Sequence, residues 1–143
     1  MRLFGPIVSA VISTTCVLFP GIAGANDAAN ALILKTRQAP DALNLKCDGN
    51  NENVFYFTVS ETQKAVVWSS AKNVDQRSIY ADGKDTGLGS KAIVKIDANH
   101  ISWTVKTAYG RNYGAIDLKK LELNMHSIFD ENDIENIGPC TKL

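Results

Sequence analysis

The chain has 143 residues, 45% of them hydrophobic, with 15 basic and 15 acidic side chains. That length and apolar fraction suit one domain with a sizeable core. The balanced charge leaves no basic stripe to neutralise phosphates and argues against a nucleic-acid partner.

Residues 1–25, MRLFGPIVSAVISTTCVLFPGIAGA, have the three-part layout of a secretory signal peptide. Arg2 supplies the positive start, and Ile7 to Phe19 is an apolar run. That run is short against the roughly 20 residues needed to cross a bilayer. Ala23-Gly24-Ala25 offers small side chains for cleavage after Ala25. Ser13-Thr14-Thr15 before Cys16 lacks the leucine and small residue that lipidation requires. Cleavage would leave 118 residues with 14 basic and 15 acidic side chains. No later stretch approaches spanning length, so the mature chain is expected in the periplasm or secreted.

Residues 26–41, NDAANALILKTRQAPD, form an alanine-rich lead-in. One or two helical turns are expected there, with Asp27 as cap and Leu32 and Ile33 as apolar face. Pro40 ends that possibility, because the residue before proline avoids helical angles. The segment is expected to be a flexible N-terminal arm to a β-domain over 42–143.

After Pro40 the hydrophobic pattern changes to period two. The stretch LNLKCDGNNENVFYFTV contains a first Cys-bearing strand and a second at 53–59, rich in aromatic and β-branched types. A polar turn at 60–64 leads to Ala65-Val-Val-Trp68, and Arg77-Ser-Ile-Tyr80 is a weaker strand. The following ADGKDTGLGS is turn-rich, with Asp82-Gly83 and Gly87 suited to positive φ. Residues 91–96 and 100–105 are strands. In the second, Ile101, Trp103 and Val105 share one face and Ser102, Thr104 and Lys106 the other. Strands are also expected over 111–118 and 121–125. Residues 127–139, SIFDENDIENIGP, are expected to be an acidic surface loop.

Seven to eight short strands with polar turns make an all-β protein. The connections are too short for crossover helices, so the sheet is antiparallel. A small β-barrel or a two-layer sandwich fits one wet and one dry face per strand. The barrel is preferred because closure removes exposed edges.

Cys47 and Cys140 are the cysteines outside the export segment. In an oxidising compartment two such residues pair. Their bridge would tie the first strand to the C-terminal tail.

No catalytic set is coherent in this sequence. His100 and His126 are isolated, each at a strand end where an exposed or capping role is expected, and no nucleophile elbow accompanies them. The run Asp130, Glu131, Asp133, Glu135 lacks the glycine and distal glutamate of a calcium loop. Zinc needs three or four ligands in close sets, so no metal is expected. Gly87-Leu-Gly-Ser-Lys91 has neither the glycine spacing nor the following helix of a phosphate loop, and no cofactor is expected. Tyr109, Arg111 and Tyr113 flank a glycine turn and form a candidate contact surface, since tyrosine and arginine are enriched among binding hot spots.

Lys46-Cys47-Asp48-Gly49, Tyr109-Gly-Arg-Asn-Tyr113 and the terminal Gly-Pro-Cys resemble small exported β-proteins of proteobacteria. More distantly, they are similar to the C-type lysozyme inhibitor family. The resemblance implies a small β-barrel that inserts a loop into a lysozyme active site. Tyr109 stands where that family carries serine before the glycine, and its following Trp-x-Lys-Gly segment is missing here. The export segment, the strand series and the lack of a coherent catalytic set together give an expected function of non-enzymatic binding through loops by a monomer; the sequence does not identify the partner, a protein or cell-wall component being the candidates. A periplasmic lysozyme inhibitor, a small hydrolase and an envelope structural protein are the alternatives.

Overall fold

The period-two stretches form nine antiparallel strands in the computed structural model, which describes residues 25–143. The export segment expected over 1–25 lies, apart from Ala25, outside the described residues. In chain order the elements are α1 (Ala25–Arg37), β1 (Leu43–Asp48), β2 (Val54–Ser60), β3 (Ala65–Ser70) and β4 (Ser78–Ala81). These are followed by β5 (Ile93–Ile96), β6 (His100–Thr107), β7 (Gly110–Asp117), β8 (Glu122–Phe129) and β9 (Asn132–Lys142).

Two antiparallel meanders, β1–β4 and β5–β9, join into one sheet of order β4-β3-β2-β1-β9-β8-β7-β6-β5. Neighbours within the meanders share four to eight register pairs, whereas β1 and β9 share three: Leu45–Lys142, Lys46–Thr141 and Cys47–Cys140. The Cys47–Cys140 disulfide lies in this shortest ladder, its Cα atoms 4.0 Å apart, and closes a sequence separation of 93 residues. The pairing expected from the sequence is therefore present, and it joins the two meanders rather than merely tethering a tail. Gly138 allows the close approach there, because a Cβ on it would collide with the Asp48 carbonyl.

The sheet curls until its edges β4 and β5 meet, which makes it a nearly closed barrel rather than a sandwich. No ladder joins them. One end of the seam is bridged by the Gly83 amide donating to the Ala92 carbonyl (2.9 Å) and the Val94 amide donating to Asp82 Oδ1 (3.1 Å). Gly83 and Gly87 do have positive φ, 72° and 83°, as their turn chemistry requires.

Inward-facing residues of both meanders make one core around Phe57, Leu45, Val66, Ile101, Trp103, Ile116, Leu123 and Met125. Removing each such large side chain from water contributes roughly 1.5–3 kcal/mol. Phe57 and Trp103, with ring centroids 5.5 Å apart, connect the halves. The expected burial of Trp103 beside Ile101 and Val105 is met.

Two expectations are corrected. Residues 127–139 are not a loop. They belong to the β8–β9 hairpin, whose two-residue turn is Asp130-Glu131, with Asp130 at φ 53° and Phe129 paired to Asn132. The acidic run concealed alternation: Asp133 and Glu135 face outward, while buried Asn136 and Cys140 face the interior. This raises the strand count to nine. The lead-in, likewise, is not a bare arm with a turn or two of helix. It is the 13-residue helix α1, rich in Ala and Leu, with Asp27 in its first turn and Lys35 and Arg37 in its last, the arrangement the helix dipole favours. Its last turn is held by Thr36, fully buried and donating to the Leu32 carbonyl (2.8 Å), and α1 lies against β2, β3 and β4. Pro40 does lie just beyond the helix end, as its chemistry demands.

Candidate functional site

The β6–β7 hairpin turns through Ala108-Tyr109, since Thr107 pairs with Gly110. Gly110, at φ 152°, lies so close to the Ile128 carbonyl of β8 that no side chain fits. Glycine therefore lets β7 begin tight against β8, and Tyr109 is left at the apex, 79% exposed.

Alternation along β7 then decides which side chains face out. Asn112 points inward and is 4% exposed. Its Oδ1 accepts from Trp103 Nε1 (2.7 Å) and its Nδ2 donates to Ser127 Oγ (2.8 Å). Both buried donors are thereby satisfied, as burial requires. Gly114, also inward, makes room for the Trp103 ring: a Cβ would sit 2.5 Å from Cζ2. With Asn112 and Gly114 fixed inside, Arg111 and Tyr113 must point outward.

The outward face carries two adjacent cross-strand rows. One runs Lys106, Arg111, Ile128, Asp133, and the other runs Thr104, Tyr113, His126, Glu135. Tyr113 and His126 stack with centroids 4.8 Å apart and planes 8° from parallel. His126 Nδ1 is 3.1 Å from both oxygens of Asp133, and Nε2 is 3.5 Å from Glu135 Oε1. Both ring nitrogens thus face carboxylates on β9. Arg111 is exposed and forms no ion pair among the described residues. The patch grades from two cations at the β6–β7 side, through stacked rings, to two anions on β9.

His126 corrects a third expectation. It sits within β8 rather than at a strand end, and its side chain is only 18% exposed. Nothing in its local sequence signals this, because Asp133 and Glu135 reach it only through the β8–β9 pairing. The alternation of Asp133-Ile-Glu135-Asn was the one available clue to that strand.

His100 is the exposed residue its position suggested, with Nε2 3.9 Å from Asp117 Oδ2. Nearby carboxylates act as turn caps. Asp97 Oδ1 accepts from the Asn99 and His100 amides, and Asp117 Oδ1 from those of Lys119 and Lys120. These backbone donors hold both carboxyls below their usual pKa. Neither histidine is hydrogen-bonded to a hydroxyl among the described residues. No group of three or more His, Cys, Asp or Glu among those residues has the geometry to hold a metal ion. No helix among them is long and apolar enough to cross a membrane.

Comparison with protein-family models, with characterised proteins and with solved structures returned no match. The three residues singled out from the sequence do fall together: Tyr109 at the apex of one arm, with Arg111 and Tyr113 on its outward face.

Proposed function

We propose that this chain is an exported, non-enzymatic β-domain that binds a protein or cell-wall component through the outer face of β7 and the β6–β7 apex. The observation that carries this reading is Tyr109, a large aromatic side chain 79% exposed at a hairpin tip beside Arg111, which forms no ion pair among the described residues. Tyrosine and arginine are the side chains that concentrate binding energy when a partner desolvates them. Tyr113 is already held by its stack on His126, so little side-chain freedom is lost when that part of the patch is covered. A periplasmic or extracellular setting is supported by the export segment in the sequence and by the disulfide.

The test is capture from a periplasmic extract with the mature chain, beside a Tyr109→Ala/Arg111→Ala variant whose fold is checked by circular dichroism. Hot-spot truncation costs about 2 kcal/mol or more, roughly 30-fold in Kd. Partners retained equally by both proteins would sink the proposal.

The resemblance to C-type lysozyme inhibitors suggests a sharper version, favoured by the projecting Tyr109-Gly110 tip on a small disulfide-linked barrel. Titration against a C-type muramidase on a cell-wall suspension checks it. Micromolar inhibition that the double variant loses would support it, and no effect at high concentration would remove it.

A further inference from the structure

The unpaired seam between the two sheet edges opens into a groove. Gly83 and Asp82 bridge the β4 and β5 edges at one end. Beyond that bridge, β4, the β6–β7 hairpin and α1 diverge, leaving a space of about 670 Å³. This volume lies within the range of small-molecule sites, about 300–1,000 Å³. Its walls are mainly apolar: Leu32 and the alanines of α1, Ile79 and Tyr80 of β4, and Val105 of β6.

Charge at the groove is one-sided. Lys35 from α1, Lys84 from the loop after β4 and Lys106 from β6 all line it, and none forms an ion pair among the described residues. The single acid present, Asp85, is engaged locally: its Oδ1 accepts from the Gly87 amide at 2.7 Å. Three cations from separate elements line this apolar cleft and, with Asp85 the one acid in the lining, leave a local excess of two positive charges. An apolar chain would gain by entering the cleft, while an anionic head would gain from the lysines. A cationic amphiphile would be repelled.

We infer that this groove is a binding site for a free single-chain alkyl carboxylate, with its chain against Leu32, Ile79 and Val105 and its head among Lys35, Lys84 and Lys106. The site shares Lys106 with the outward patch, but Tyr109, Arg111 and Tyr113 do not line it. It does not depend on the binding function proposed for that patch.

The test uses the mature, oxidised protein and dodecanoate, dodecanol and dodecyltrimethylammonium, each below its micellar concentration, followed by calorimetry. Dodecanoate is expected to bind at least tenfold more tightly than dodecanol, and the ammonium analogue least. A Lys84→Gln/Lys106→Gln variant is expected to lose about tenfold for dodecanoate and little for dodecanol. Ala31→Trp, which fills the groove from the exposed helix without touching the core, is expected to abolish binding of both. The Tyr109→Ala/Arg111→Ala variant is expected to bind dodecanoate normally. Equal affinity for all three amphiphiles, affinity unchanged by filling the groove, or binding to anionic vesicles without binding to free dodecanoate would each overturn the assignment.

Discussion

Reducing the Cys47–Cys140 bond is expected to remove a large part of the stability of this protein. The bond closes a sequence separation of 93 residues. The chain-entropy model assigns such a loop about 4–5 kcal/mol, through restriction of the unfolded state. Domains of this size are stable by about 5–15 kcal/mol, so roughly a quarter or more of the total depends on one bond. Its position adds a local consequence. The β1–β9 ladder has only three register pairs, and the opposite closure, at the β4–β5 seam, has no ladder at all. The bond therefore reinforces the weakest continuous link between the meanders. Urea denaturation of oxidised protein, reduced protein and a Cys47→Ala/Cys140→Ala variant measures the effect. Both perturbed forms are expected to fall by about 4–5 kcal/mol, with hydrogen exchange rising first at β1 and β9. The melting temperature should drop on the order of 15 °C. A loss under about 1 kcal/mol, or two free thiols titrated in the natively purified protein, would refute the reasoning.

Gly114→Ala is expected to destabilise the fold by about 1–3 kcal/mol, because its Cβ lies 2.5 Å from Trp103 Cζ2 in a filled core. An unchanged denaturation midpoint and Trp103 fluorescence would contradict that packing. Asp41 accepts from the Thr62 amide (2.8 Å) and from the Ser60 hydroxyl (2.7 Å), which lowers its pKa from 3.8 to about 2. Its contribution is fully present above pH 3.8 and is lost as pH falls through about 2. The stability deficit of Asp41→Asn should therefore be largest near neutral pH and shrink towards pH 2. A deficit that stays constant across that window would rule out the carboxylate as its source. Tyr109→Ala/Arg111→Ala, in contrast, should leave the denaturation curve unchanged, since both side chains are exposed, while weakening partner capture roughly 30-fold or more.

Local pattern carried much of this fold. Alternation at 101–105 placed Trp103 inside, the glycines at 83 and 87 marked turns, and the two cysteines outside the expected export segment implied their own pairing. These features are legible because period-two burial and positive-φ chemistry act within a few residues. The strand β9 was hidden because an acidic outward row reads as a solvated loop until β8 is known to lie beside it. The helix α1 exceeds its local signal because a short alanine-rich segment is marginal alone and gains its support by lying against β2, β3 and β4. His126 gained its carboxylate neighbours, and the three lysines their shared groove, only when strands distant in sequence were brought together. Residue types and spacing thus determined the strands β1 to β8, the disulfide and the exposed Tyr109–Arg111–Tyr113 arm. Long-range pairing and curling of the sheet decided which charges meet and where the seam opens, because neither is encoded in any single stretch of chain.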